Sequence, residues 1–134
     1  MRYRVLEHTA DAMVEVHGKT LGERFENAAY ALFDQMTDVS KVSPKGEIKI
    51  VLSAGSKEQL VVDFLQELLF LHDTENIVFS EFNVKTDGLS LEAVVRGETF
   101  DGNRHPKRSV VKGITYHRLE FDEGKGTLVV LFDV

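Results

Sequence analysis

Three ionisable side chains crowd into five residues near the start of the chain: Glu7, His8 and Asp11, in the stretch EHTAD. At the other end, LFDV carries Asp133 followed by Val134. If the two strand ends meet, the two aspartates and the terminal carboxylate of Val134, with no thiol at hand, would make a hard oxygen site. Such a site suits Ca²⁺, Mg²⁺ or Mn²⁺ rather than zinc. Spacing leaves a second possibility open, in which Asp11 caps a turn and Asp133 ends a strand in solvent. Of the five histidines, His8 lies three residues from Asp11 and is the best candidate to join a site, with His105 in NRHPKR next. No pair has the H-E-x-x-H spacing of a helical metal site. His72 follows an apolar helical face and reads as a core or cap residue; His117 lies in a strand-like run and could face either side.

A second feature is basic. DGNRHPKRSVVK places Arg104, His105, Lys107, Arg108 and Lys112 within nine residues of an otherwise acidic chain. It reads as a phosphate- or partner-contacting loop, or equally as a solvated surface loop, which charge runs usually are. Aromatic residues do not interleave it, so a stacking platform for single-stranded RNA is not indicated. No P-loop, dinucleotide fingerprint or nucleophile elbow occurs. The absence of cysteine excludes disulfides, thiolate catalysis and iron–sulfur clusters.

The elements that must position these residues follow from hydropathy period. Residues 3–7 and 12–17 alternate as two strands with HTAD between them. In residues 20–38, Leu21, Phe25, Ala28, Ala29, Leu32 and Met36 recur at helical steps behind a Thr20/Glu23 capping box. EIKIVLSAG alternates as a strand. A second helix follows a Ser56/Gln59 box, with an apolar face wide enough to predict burial against a sheet. IVFSEFNVK and LSLEAVVRGE form a hairpin around TDG, and VVKGITYHRLEF and GTLVVLFDV are joined by DEGKG. The expected architecture is α+β: one domain over residues 1–134, with two helices packed on a mainly antiparallel mixed β-sheet.

Composition narrows the function classes. The 134 residues, 43% hydrophobic and 28% charged, are enough for one cored domain. A net charge of −6 argues against a surface that grips long nucleic acid on its own. Asp63 and Glu67 interrupt the most apolar stretch, and no signal peptide is visible, so a cytoplasmic protein without membrane contact is expected.

Five segments in order resemble the archease family: EHTAD, residues 18–29, LVVDFLQELLFL, GETFDGNRH with VVKGITYHRLEF, and the final FDV. The resemblance runs the length of the chain. It departs at Gly113, where the family often has alanine, and at Phe64, where tryptophan is usual. It implies a non-catalytic cofactor of the RtcB-type RNA ligase, which promotes that enzyme's guanylylation and multiple turnover in tRNA splicing and RNA repair. RNA contact would be indirect or weak. It also implies a divalent ion, calcium in family members, held by Asp11, Asp133 and a main-chain or terminal oxygen of Val134. Glu7 and His8 would be supporting residues. Two other readings stand beside it: a stand-alone metal-dependent phosphoesterase or nuclease using Asp11, Asp133, His8 and His105, and a general chaperone-like binding module.

Overall fold

The computed structural model describes residues 1–6 and 11–134. Glu7 and His8 lie outside the described residues. In chain order the elements are β1 (Tyr3–Leu6), β2 (Ala12–His17), α1 (Leu21–Met36), a short 3₁₀ turn (Val39–Lys41), β3 (Gly46–Ser53), α2 (Lys57–Glu75), β4 (Ile77–Thr86), β5 (Ser90–Thr99), β6 (Gly113–Asp122) and β7 (Thr127–Asp133). The expected α+β class is correct. The strands divide between two sheets, in orders β1-β2-β7-β6 and β3-β5-β4, and every described pairing is antiparallel.

Local chemistry sets the helices. Thr20 and Ser56 each accept a hydrogen bond, at 3.1 Å, from the backbone N–H of the residue three positions on. Each cap is worth about 1 kcal/mol. α2 stops at Asn76, which adopts the left-handed conformation (φ 55°) that asparagine tolerates. His72 Nδ1 lies 2.9 Å from the Ile77 carbonyl, the cap role its position predicts. Because a carbonyl only accepts, Nδ1 carries the proton.

Both helices pack on strands of both sheets, so one hydrophobic cluster runs through the molecule. α1 contributes Phe25, Leu32 and Phe33; α2 buries Leu60, Val61, Val62, Phe64, Leu65, Leu68 and Leu69. Such side chains each stabilise by roughly 1.5–3 kcal/mol when fully buried. Phe25 and Phe64 stack at 6.2 Å and lock the helices together. Phe64, at the position where tryptophan is usual in the resemblance, is fully buried.

At Gly97 the β4–β5 pairing requires glycine. A Cβ there would collide with the Val78 carbonyl and the Phe79 Cα, beside the register shift between Phe79 and Glu81. Gly113 meets nothing within 4 Å and merely opens β6.

Candidate functional site

The pairing of β2 with β7 decides where the aspartates go. Ala12 pairs with Phe132, so the next position outward on each strand is Asp11 on one and Asp133 on the other. Backbones paired this way run about 5 Å apart. β6 adds a third strand to this end: Gly113 pairs with Asp133, and the Lys112 N–H donates to the Asp133 carbonyl at 2.6 Å. Asp133 is exposed, Asp11 is half-buried, and Val134 packs its side chain on the core. That packing anchors the backbone just past Asp133. Among the described residues no group of three or more His, Cys, Asp or Glu side chains could hold a metal ion. The residues that the register brings to this strand end are thus two aspartates and the main-chain oxygens beside them.

The basic stretch is tied down rather than free. Glu98, only 7% exposed at its side chain, accepts from the Ser43 N–H (2.8 Å), Arg104 Nη2 (2.7 Å) and His105 (2.8 Å). The Ser43 N–H foremost, then His105 and Arg104, hold its carboxyl down to about 2. His105 is 1% exposed. Its Nδ1 accepts from the Asp101 N–H at 2.8 Å, so its proton sits on Nε2 and is donated to Glu98. Arg108 Nη1 donates to the carbonyl and the carboxylate of Asp34, at 2.9 and 3.2 Å. Tyr3 donates to the other Asp34 oxygen at 2.6 Å, and burial together with that bond raises its phenol. Of the five residues assigned to a partner-contacting loop, His105 is therefore turned inward, and Arg104 and Arg108 are engaged within the molecule. Lys107 and Lys112 remain exposed, and neither forms a side-chain hydrogen bond or ion pair among the described residues. A hydrolytic role for His105 has no free ring nitrogen to use.

Two features escape a reading by residue type. Arg24, on the apolar side of α1, is buried with Nη1 3.1 Å from Glu123. An open groove of about 910 Å³ lies at the opposite end of β2 and β7 from the aspartates, lined in part by His17, Gly18, Lys19, Glu26 and Lys125. Charges of both signs line it, and no single-signed field marks it for one ligand. Among the described residues no helix is long and apolar enough to cross a membrane.

The chain matches the model of the Archease protein family over residues 3–134. A protein archease from Sulfurisphaera tokodaii is 41% identical over 132 residues, covering 97% of this chain and 94% of the relative. One from Pyrococcus furiosus is 42% identical over 120 residues, covering 87% and 84%. The solution structure of Methanobacterium thermoautotrophicum protein 1598 superposes with a TM-score of 0.84, at 37% identity and 99% coverage of both chains.

Proposed function

The chain belongs to the archease family, and on that premise we propose that it is a protein cofactor of an RtcB-type RNA ligase in tRNA splicing and RNA repair. It promotes the guanylylation and the multiple turnover of that enzyme and is not itself a catalyst. The observation that carries this reading is the β2–β7 register, which sets Asp11 and Asp133 at one end of a sheet. Asp11, Asp133 and a main-chain oxygen of Val134 would hold a divalent cation such as calcium, magnesium or manganese, whose chemistry there is charge neutralisation beside phosphate oxygens. Two carboxylates leave a six- to eight-ligand cation short of partners. Oxygens of water or of a bound partner would complete the set, which suits a site meant to act on another molecule.

In this role the protein residues have separate tasks. The β-ladder fixes the backbone spacing of the two aspartates. Val134 packing and the Lys112–Asp133 hydrogen bond hold the strand end in place. The acidic end is suited to docking against a basic, phosphate-binding cleft.

Asp11→Ala and Asp133→Ala test the proposal. Each variant should fold, lose most divalent-ion binding by calorimetry, and lose stimulation of ligase guanylylation. Full stimulation by both variants would overturn it.

A further inference from the structure

Strand β6 does not run straight. Its pairing with β7 holds at Gly113, Ile114 and Thr115, breaks, and resumes at Glu120, leaving residues 116–119 opposite Val130 alone. The bulge is braced: Leu119 packs against the core, and the His117 N–H donates to Thr115 Oγ1 at 3.0 Å. At its apex Arg118 has φ 62°, a left-handed conformation costing a residue with a Cβ roughly 1 kcal/mol or more. Asparagine or glycine would take it more readily.

Among the described residues nothing uses what the strain presents. Tyr116 is 55% exposed, and His117 and Arg118 are exposed too. Among the described residues none of the three side chains forms a hydrogen bond, ion pair or ring contact. Bulges beside functional sites re-aim side chains, and strain persists where the presented group has work to do. Tyrosine and arginine are also the residue types that most often dominate an interface.

From this placement and chemistry we propose that the 116–118 bulge is a docking anchor for the ligase. It fits a protein surface that offers carboxylates to Arg118 and His117 and an apolar shelf to the Tyr116 ring. The inference rests on the function proposed above and names a contact that the aspartates do not make. Charge favours a protein over an RNA strand: Glu120 flanks the bulge, Asp133 lies on the neighbouring strand, and the whole chain carries −6. That field repels the many charges of a phosphate backbone far more than the single carboxylate that pairs with Arg118. Thr115 is two residues along β6 from Gly113, the partner of Asp133. At about 3.3 Å per residue, the bulge begins within roughly 10 Å of the strand end, so one partner can meet both.

The experiment titrates the full chain against the ligase and reads two quantities, the concentration for half-maximal stimulation of guanylylation and the plateau. Tyr116→Ala and Arg118→Gly should each raise the half-maximal concentration by about tenfold with the plateau unchanged. Arg118→Gly should also raise the melting temperature by about 3 °C, because glycine relieves the strained φ. Arg118→Lys, which keeps the charge, should lie closer to wild type than Arg118→Gly. Half-maximal concentrations within twofold of wild type for both Tyr116→Ala and Arg118→Gly would overturn the anchor while leaving the proposed function standing. Weaker binding of a labelled single-stranded oligoribonucleotide, with ligase stimulation unmoved, would overturn it in favour of an RNA contact. A wild-type chain that neither binds nor stimulates the ligase would overturn the function and the anchor together.

Discussion

Glu98 gathers the Ser43 N–H, Arg104 and His105 around one carboxylate, and acid should undo that arrangement. Its folded value, about 2, lies below its ordinary 4.5, so the unfolded chain takes up the proton first. The stability it adds is complete above about 4.5 and is lost as pH falls toward 2. Glu98→Gln should cost roughly 1–3 kcal/mol at neutral pH, because His105 and Ser43 lose a charged acceptor in a buried place. It should also flatten the fall of melting temperature between pH 5 and 2; an unchanged acid limb would show that Glu98 does not set it. The chemical types of Asp11, Asp133 and His105 were readable from the chain alone, but their surroundings were not. His105 looks like any surface histidine until Glu98 and the Asp101 N–H close on its ring. Nothing in a local pattern announces which strand lies beside β2, so the proximity of Asp11 and Asp133 could only be conditional.

Elements were the most legible level. Both capping boxes form as their residue types require, and the TDG turn closes β4 on β5 with Gly88 at φ 100°. The strands around EHTAD fall where alternation puts them. Two features were hidden. The break in β6 has no glycine or asparagine at its left-handed residue, so its sequence reads as an uninterrupted strand. The division of strands into two sheets depends on long-range pairing, which a period of two does not encode. The same elements predict where single changes do most harm. Phe64→Ala, which removes the ring stacked on Phe25 from the joint between the helices, should cost about 3–5 kcal/mol in denaturant unfolding. Gly97→Ala should cost at least as much as a typical overpacking change, about 1–3 kcal/mol, because the atoms it meets are backbone and cannot rotate away. A Gly97→Ala chain as stable as wild type would mean that β4 and β5 pair less closely than described.

The whole molecule is one cored unit in which strands from both ends of the chain share a sheet. An ion held at the strand ends, as proposed, would therefore be linked to global stability. A ligand that binds only the folded state stabilises it by about 2.7 kcal/mol at a hundred times its dissociation constant. Calcium should raise the melting temperature of the wild-type chain and leave that of Asp133→Ala unmoved; equal shifts in the two would place the ion elsewhere.

The ladder between Ala12–His17 and Thr127–Asp133 has one more consequence. Its two halves are separated by more than a hundred residues, so their pairing closes almost the whole chain into one loop. A nascent chain, a clipped chain or one whose last strand has come away presents no paired aspartates at all. Under the proposed function the strand ends would act as a certificate of intactness: a partner that requires both carboxylates would ignore damaged copies without any separate inspection step.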